Sequence, residues 1–540
     1  MQNAGLGGWP YRRAQMSPGR TAIVHSGRAT TYAEFATRVT RLADRLRAAG
    51  VSSGDRVAYL GPNHPSFVET MFATHVLGGI FVPVNFRLAA PEVGHVLADS
   101  GPSVLVFGPQ CAGVVRDLAG IAPGVVVAVE GSVEGSDVGQ HDYESWLAEG
   151  SAEPIDEVVD RDDVAVILYT SGTTGRPKGA MLTHANLIWN TCNLLVGVDV
   201  TSTECTLVSA PLFHVAALTQ TLLPTFIKGG KAVITSSWDV DRVYELIECE
   251  RITLVFGVAT MFADLAASPR WYTADLSSLR HLLCGGAAVP ESLIRTYQER
   301  GLTFCQGYGL TETAPGATFL EAGESTRKVG SAGVPVFFAD VRVVSAEGED
   351  AGVDEPGEVL VRGPNVTPGY WNDPAATAAA FYPGGWFRTG DIARFDAEGH
   401  LYVVDRLKDM FISGGENVYP AEVENAIVEH PAVVEAAVIG VPDPRWGEVG
   451  RAFVRYGSGG GPSREELREF LLARLAKYKV PVHIDLVEQL PRTGSGKVRK
   501  AELRKLPMSG RPVDSPPQRL DGGPDRVLAT GGPSGRGDER

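Results

Sequence analysis

The chain has 540 residues, of which 44% are hydrophobic and 21% charged, and its formal net charge is −15. Single hydrophobic cores stop growing near ~250–300 residues, so a chain of this length is expected to form more than one domain. The acidic balance excludes nucleic acid as the main partner, because phosphate backbones are bound by basic surfaces.

Cysteine usage and hydropathy indicate a reducing, aqueous compartment. The six cysteines show no C-x-x-C spacing, which argues against a disulfide framework or a zinc site and predicts a cytoplasmic location. Met1–Arg20 lacks the apolar core of a signal peptide, and the apolar region 67–86 is interrupted by Glu69, by glycines and by Pro83. We therefore expect no membrane span. Peripheral membrane contact stays open, as does the oligomeric state, with a homodimer as one alternative.

The first part of the chain alternates between strand and helix patterns. Thr31 and Glu34 form a capping-box pattern at the start of an amphipathic helix that Gly50 ends. Short β-branched runs follow, most of them separated by helical stretches. These runs are 56–60, 80–83, 103–107, 125–129, 164–168, 232–235, 253–256 and 279–284. The alternation predicts an α/β fold with layered parallel sheets.

The pattern changes near Val341, where strand-like pieces become shorter and turns more frequent. This change predicts an antiparallel β subdomain that completes a large N-terminal domain over residues 1–405. A charged segment, 405–409, follows between two apolar runs.

Residues 409–507 carry a separate pattern of a plausible domain size. A helix is expected near 421–429, and Ser463 and Glu466 form a capping box before another. This segment therefore predicts a small α+β domain. Residues 508–540 are rich in Gly, Pro, Ser and charge, and we expect them to be a disordered tail.

The first chemical motif follows the apolar run 164–168. Its candidate phosphate-binding residues are Thr170, Ser171, Gly172, Thr173, Thr174, Gly175 and Lys178. Glycines let the backbone approach an anion closely, the hydroxyls add donors, and the lysine adds positive charge, so the motif suits a polyphosphate. It does not match the Walker A pattern. A Gly/Ser/Thr-rich surface linker is the alternative.

The second motif is the segment 306–313, which follows a short strand pattern. Tyr308 offers a flat face to a base, and Thr311 offers a hydroxyl. Glu312 is a hard oxygen ligand of the kind that Mg²⁺ accepts alongside substrate phosphates. The alternative is a strand-to-loop turn with a core tyrosine.

Two further motifs carry a charged residue each. Asp391, at the end of segment 385–391, could accept hydrogen bonds from ribose hydroxyls, although Thr389-Gly390-Asp391 is also a plausible hairpin turn. Lys497 ends a glycine-rich loop and is suited to meet an anion after a movement. For the loop that ends at Lys497, the alternative is a solvated basic loop.

Together the motifs resemble, in order and spacing, those of the adenylate-forming (AMP-binding) superfamily. The resemblance covers about residues 20–506 and is nearest to bacterial fatty-acyl-CoA synthetases, especially over 412–424. It implies an acyl-CoA synthetase: a carboxylate attacks the α-phosphate of Mg·ATP, and CoA then displaces AMP from the acyl-adenylate. This chemistry needs no protein nucleophile, only positioning and charge stabilisation.

The resemblance also implies a nucleotide site. The loop 170–179 is expected to hold the β- and γ-phosphates, and Tyr308 to stack on the adenine, which three further residues line. Those three are Gly285, Gly286 and Ala287. Thr311 is expected to contact the α-phosphate and Glu312 to bind Mg²⁺. The ribose hydroxyls are assigned to two residues, Asp391 and Arg406.

A third implication is that the small domain is mobile and rotates between the two half-reactions. Lys497 is expected to serve adenylation, with the hinge at 406–408 and Lys408 matching the hinge position of the family. After rotation, a different part of the small domain approaches the adenylate and the pantetheine arm of CoA. Its residues are Gly414, Gly415 and Trp446.

The acid pocket is the least defined part of the site. His214 resembles the family residue beside the substrate carboxylate, and a packed core histidine is the alternative. The chemical nature of the acid is left open. Two other functions are weighed: transfer of the acyl group to a carrier-protein phosphopantetheine or an amine, and a non-catalytic binding protein with the same fold.

Overall fold

The structure is a computed structural model and describes residues 2–118, 120–130, 140–170, 177–286, 289, 291–345, 348–406, 410–418, 420–457, 459–491, 498 and 500–508. Strands and helices alternate through most of these ranges, as the α/β prediction requires. The strands are β1 (Thr21–His25), β2 (Arg28–Thr31), β3 (Arg56–Leu60), β4 (Ile80–Val84), β5 (Val104–Phe107), β6 (Val125–Ala128), β7 (Gln140–Asp142), β8 (Val164–Thr170), β9 (Lys178–Thr183), β10 (Cys205–Val208), β11 (Lys231–Ile234), β12 (Leu254–Gly257), β13 (His281–Gly285), β14 (Phe304–Gly309), β15 (Gly316–Leu320), β16 (Val334–Pro335), β17 (Asp340–Val344), β18 (Gly357–Arg362), β19 (Gly369–Tyr370), β20 (Phe381–Tyr382), β21 (Trp386–Phe395), β22 (Leu401–Arg406), β23 (Phe411–Ser413), β24 (Glu416–Val418), β25 (Val433–Asp443), β26 (Gly447–Tyr456) and β27 (His483–Leu486). The α-helices are α1 (Trp9–Met16), α2 (Tyr32–Ala48), α3 (Pro65–Val76), α4 (Ala90–Ser100), α5 (Ala112–Asp117), α6 (Tyr143–Ala148), α7 (His184–Gly197), α8 (Val215–Ala217), α9 (Leu223–Lys228), α10 (Val240–Glu250), α11 (Ala259–Ala267), α12 (Glu291–Gln298), α13 (Pro374–Ala380), α14 (Pro420–Val428), α15 (Arg464–Leu472) and α16 (Lys500–Leu503).

Two large sheets form the body of the N-terminal domain. Within the described residues, one has nine strands in the order β16-β15-β14-β13-β12-β10-β11-β1-β2, and the other has eight in the order β19-β9-β8-β4-β3-β5-β6-β7. The central strands of each sheet pair in parallel, and antiparallel strands such as β2, β9 and β15 lie towards the edges. Parallel strands joined by helices are the architecture that the alternating pattern predicts.

Helix α2 shows why the sequence forms these elements. The Thr31 side chain accepts from the Glu34 amide, and Glu34 accepts from the Thr31 amide at 2.8 Å, which confirms the predicted capping box. The apolar face of the helix enters one core shared by both large sheets. In that core the Phe35 ring lies 5.8 Å from Phe72 of α3 and 5.2 Å from Phe226 of α9. Burial of each such ring contributes about 1.5–3 kcal/mol.

The third sheet confirms the antiparallel β subdomain. Its strands are ordered β17-β18-β21-β20, and β22 pairs with β21. Asp391 lies within the ten-residue strand β21 and is aligned with Arg406 of β22. The alternative in which Thr389-Gly390-Asp391 forms a hairpin turn is therefore wrong.

The fourth sheet, with helices α14 and α15, forms the small C-terminal domain. Its order is β24-β23-β26-β25, and β27 adds to β26 in parallel. Apolar residues of α14 and α15, including Ile427 and Leu471, pack against the sheet residue Val438 in one core. The Ser463 side chain accepts from the Glu466 amide at 3.2 Å, as predicted. The α+β prediction for this domain is confirmed.

No helix in the described part of the chain has both the length and the apolar character that a membrane crossing needs.

Candidate active site

The carboxyl ends of the neighbouring parallel strands β12, β13 and β14 meet at one edge of the nine-stranded sheet. Gly285 and Gly307 are aligned there, and the chain leaves β13 through Gly286 with φ of +87°. A Cβ on Gly286 would lie 3.8 Å from the Val258 side chain, which follows β12. Ligands of open α/β sheets bind beyond the carboxyl ends of the strands. The predicted adenine residues Gly285 and Gly286 are at this edge, whereas Ala287 lies outside the described residues.

Tyr308 joins the nine-stranded sheet to the β subdomain at this edge. Its hydroxyl donates to Asp391 Oδ2 at 2.7 Å. Asp391 is only 8% exposed, and its amide donates to the Thr389 hydroxyl at 3.1 Å, which fixes the strand locally. Arg406 is aligned with Asp391 across the strand pair, and only the backbone of Arg406 is described. The structure thus brings together the two sites predicted for adenine and ribose.

Thr311 and Glu312 lie in a short 3-10 turn, Thr311–Thr313, that follows β14. Glu312 Oε1 accepts from the Tyr370 hydroxyl at 2.8 Å, and its backbone carbonyl accepts from the Thr367 amide at 2.7 Å. The first contact holds the carboxyl group beside β19, and the second anchors the backbone of the turn. A single carboxylate of this kind suits Mg²⁺, which keeps several waters and is bound through one or two carboxylates plus substrate phosphates.

The stem of the predicted phosphate loop reaches the same place. Thr170 and Lys178 are aligned across the antiparallel pair β8–β9, so the loop connects two strands and does not enter a helix as a Walker loop would. Lys178 Nζ lies 5.5 Å from the centre of the Tyr370 ring and 3.9 Å from Asp373 Oδ2. Tyr370 therefore links this stem to Glu312. The loop residues proper, which lie outside the described ranges, are Ser171, Gly172, Thr173, Thr174 and Gly175.

His214 meets the small domain. Its Nε2 lies 2.8 Å from Glu416 Oε2, and the guanidinium of Arg87 pairs with the other oxygen of the same carboxylate. Glu416 is only 3% exposed. Burial opposes its ionisation, but His214 and Arg87 outweigh burial and lower its pKa to about 2. The His214 side chain is 41% exposed, so the alternative of a packed core histidine is wrong.

The turn between β23 and β24 inserts into the large domain. Its glycines, Gly414 and Gly415, have φ of +59° and +85°, which residues with a Cβ rarely adopt. A Cβ on Gly414 would lie 2.8 Å from the Trp446 ring, and one on Gly415 would lie 3.4 Å from Val258. The Gly414 amide also donates to the Trp446 carbonyl at 2.9 Å. Three predicted CoA-side residues are therefore adjacent to each other and to the adenine edge.

Two predicted catalytic residues, Lys408 and Lys497, lie outside the described residues. Their roles stay predictions from the resemblance. Conversely, the structure points to Arg87 and Tyr370, which no sequence motif singled out. Both act as partners of a carboxylate, and a lone arginine or tyrosine outside a motif gives no sequence signal.

The sequence profile of the AMP-binding enzyme family matches residues 11–371, and that of its C-terminal domain matches residues 422–497. The feruloyl-CoA synthase of Amycolatopsis sp. is 54% identical over 94% of this chain and 99% of its own length. The indoleacetate–CoA ligase of Aromatoleum aromaticum is 42% identical over 93% of this chain and 98% of its own. A long-chain-fatty-acid–CoA ligase of Mycobacterium tuberculosis is 39% identical over 92% of this chain and 98% of its own length. The chain belongs to the AMP-binding enzyme family, in its acid–thiol ligase branch.

Two structures of one relative superpose on this structure to different extents. The o-succinylbenzoate CoA synthetase of Bacillus subtilis, bound with its product analogue OSB-NCoA, is 33% identical and superposes with a TM-score of 0.82 over 92% of this chain and 98% of its own. The complex of that enzyme with AMP has the same identity and coverage, but its TM-score is 0.67. This structure is the more similar to the product-analogue complex.

Proposed function

We propose that this protein is an ATP-dependent acid–CoA ligase whose acid is a hydroxycinnamate of the ferulate type. The relatives named for feruloyl and indoleacetate substrates, at 54% and 42% identity, match more strongly than the one named for long-chain fatty acids, at 39%. An aryl acid is therefore favoured over an alkyl acid. The observation that carries the reaction is the meeting of Tyr308, Asp391, Glu312 and Lys178 beyond the strand ends.

In the first half-reaction the acid carboxylate attacks the α-phosphorus of ATP. A C–O–P linkage forms, the bond to the β-phosphate oxygen breaks, and pyrophosphate leaves. Tyr308 and Asp391 hold the adenosine, and Lys178 places positive charge beside the polyphosphate. Glu312 would hold Mg²⁺, which would neutralise part of the phosphate charge. Lys497 is proposed to offset the repulsion between the carboxylate and the α-phosphate.

In the second half-reaction the CoA thiol loses its proton to water and attacks the acyl carbonyl as the thiolate. The C–S bond forms, and AMP leaves with the electrons of the C–O bond. Gly414 and Gly415, which carry no side chains, allow the arm of CoA to pass close to the turn beside Trp446. Glu416, ionised at neutral pH, accepts from His214 Nε2. This contact fixes the orientation of the imidazole ring.

We place the reaction in the cytoplasm. All six cysteines are unpaired in the structure, and four of them are buried. Free buried thiols persist in reducing compartments, where disulfides are rare. A ligase that consumes ATP and CoA is consistent with that location.

A panel of acids tests the proposed function. Ferulate, 4-coumarate, indoleacetate, benzoate, octanoate and palmitate would each be supplied with Mg·ATP, with and without CoA. Pyrophosphate, AMP and thioester would be measured together. We expect the largest kcat/KM with ferulate or 4-coumarate and one thioester formed per AMP released. A preference for palmitate would overturn the acid assignment. Pyrophosphate release without thioester would move the acceptor to a carrier protein or an amine.

A further inference from the structure

A buried cluster of three charged residues joins the two domains. Lys479, on the 3-10 turn Lys477–Lys479 of the small domain, is 2% exposed. Its Nζ lies 2.7 Å from Glu92 Oε1 of the large domain and 2.7 Å from Glu422 Oε1 of its own domain. Glu92 and Glu422 are also buried. A charge-assisted hydrogen bond thus crosses the interface in a dry environment, where such bonds are strong.

Glu92 is the member of the cluster that the large domain contributes, and it has two tasks. Its Oε2 accepts from the Ala89 amide at 2.9 Å, which caps the start of α4. The same oxygen accepts from the Ala476 amide of the small domain at 2.7 Å. Glu92 therefore receives donors from two points of the small domain, a backbone amide and the Lys479 ammonium. All of these interdomain bonds break if the domains separate.

The neighbouring contacts come from the same stretch of the large domain. Asn85 Nδ2 donates to the Tyr478 hydroxyl at 3.2 Å, and Arg87 pairs with Glu416. Residues 85–92 thus face the small domain at three successive points. In the same arrangement of the domains, Gly415 of the small domain lies against Val258 of the large domain.

The energetics of the cluster suit a reversible contact. Removing an ion from water costs several kcal/mol, so a buried ion pair adds little net stability, while removing one partner is costly. When the domains separate, water solvates the released groups and offsets the lost bonds. The cluster therefore selects one geometry strongly without making the contact permanent. Buried ionic groups are best attested in this role of specifying a register or a switch.

We propose that Lys479 is a positioning residue for the thioester-forming step, because the Glu92–Lys479–Glu422 cluster fastens the small domain in the arrangement that places Gly414 and Gly415 at the site. The inference rests on the proposed function, since it assigns one arrangement to one half-reaction. The cluster opens for adenylation, when Lys497 must reach the site instead.

Hydrogen exchange tests the contact between Glu92 and the small domain and needs no carboxylic acid substrate. The peptide 474–480 contains the amide that Glu92 protects, and the peptide 464–472 of α15 reports whether the small domain stays folded. We expect Glu92→Gln and Lys479→Met to speed exchange in the first peptide and to leave the second unchanged. Lys477→Met, which removes an exposed lysine of the same turn, should change neither. Equal exchange of the first peptide in all variants would overturn the proposal.

The two half-reactions test the role. We expect Lys479→Met to slow thioester formation from supplied feruloyl-adenylate about tenfold, and pyrophosphate exchange to stay within about twofold. Lys479→Arg, which keeps the charge, should restore part of the loss. Equal loss in both half-reactions, or no loss in either, would overturn the assignment. If the unmutated protein forms no thioester, the proposed function is overturned. The hydrogen-exchange experiment would still report on the Glu92–Lys479–Glu422 cluster.

Discussion

The nucleotide side and the thiol side of the site differ in which domains supply their residues. On the nucleotide side, Tyr308 with Asp391 and Glu312 with Tyr370 are pairs within the large domain. On the thiol side, His214 with Glu416 is a pair across the two domains, as is Lys479 with Glu92. In the proposed rotation of the small domain, the first set would keep its geometry, whereas the second set would be lost. A mutation should therefore affect both half-reactions or one of them according to its side.

The strongest test is Lys497→Ala. Loss of the ammonium should slow adenylate formation by about 10²–10³-fold, the range found when a transition-state charge donor is removed. Thioester formation from supplied adenylate should survive, because the role proposed for Lys497 belongs to adenylation alone. Pyrophosphate exchange and single-turnover thioester formation measure the two steps. Equal loss in both would contradict the division of the site.

Asp391→Ala should raise KM for ATP by about 10- to 100-fold, because hydrogen bonds to a charged group contribute about 1.5–3 kcal/mol. KM for CoA should stay unchanged. Tyr308→Phe serves as the control: it removes the hydroxyl that Asp391 accepts from and keeps the ring, so its effect on KM for ATP should be smaller. A comparable rise in KM for CoA in the alanine variant would place Asp391 outside the nucleotide side.

Glu416→Gln should slow the thioester step about tenfold and leave adenylation within about twofold. The amide keeps the shape of the side chain but withdraws the negative charge that faces His214 and Arg87. Single-turnover assays of each step give the ratio. If adenylation slowed as much, the contact between Glu416 and His214 would have to persist in both arrangements.

The pH dependence of thioester formation tests the interdomain cluster through the ionisation of Glu422. Burial and the Glu92 carboxylate raise the pKa of Glu422 to about 7 against the effect of Lys479. Separation of the domains removes burial and Glu92, so the pKa falls towards its ordinary value. The observed arrangement therefore binds the proton more tightly, is favoured below about pH 7, and loses that advantage as pH rises through 7.

We expect thioester formation in the parent, divided by that of Glu422→Gln, to fall roughly three- to tenfold between pH 6 and pH 8.5. The ratio cancels ionisation of the CoA thiol, which both proteins share. Burial lowers the pKa of Lys479, but Tyr478 and the two carboxylates outweigh burial and raise it. The pKa of Tyr478 is raised by burial, and that of Glu416 is about 2, so these three groups keep one charge state over this range. A ratio of the two rates that does not change with pH would show that Glu422 takes no part in holding the domains together.

The smallest effect on activity is expected from Ser463→Ala. Loss of this N-cap should lower the stability of the small domain by about 1 kcal/mol. Both half-reactions should keep their rates at temperatures below unfolding. Thermal unfolding, measured together with the rates of adenylation and thioester formation, separates a loss of stability from a loss of positioning. This variant is therefore the control for the variants of Glu416 and Lys479.

The sequence predicted those parts of the molecule that depend on local patterns. The capping boxes at Thr31 and Ser463 and the strand–helix alternation were confirmed because each depends on neighbouring residues. The hairpin alternative at Asp391 was wrong, because a turn-like triplet can lie within a paired strand. Tyr308, Asp391 and Glu312 were singled out by motifs, but Tyr370 and Arg87 were not. Their significance comes from contacts between segments that are distant in sequence, which no local pattern encodes.

The double use of Glu92 has a consequence for engineering by recombination. The carboxylate that caps α4 also receives the Ala476 amide and the Lys479 ammonium. The small domain is therefore not an interchangeable module. A chimera that takes its C-terminal segment from a relative must keep a matched lysine opposite Glu92, or exchange residues 85–92 together with the donated domain. If the proposed cluster positions the small domain, a graft that ignores this pairing should be slowed in the thioester step.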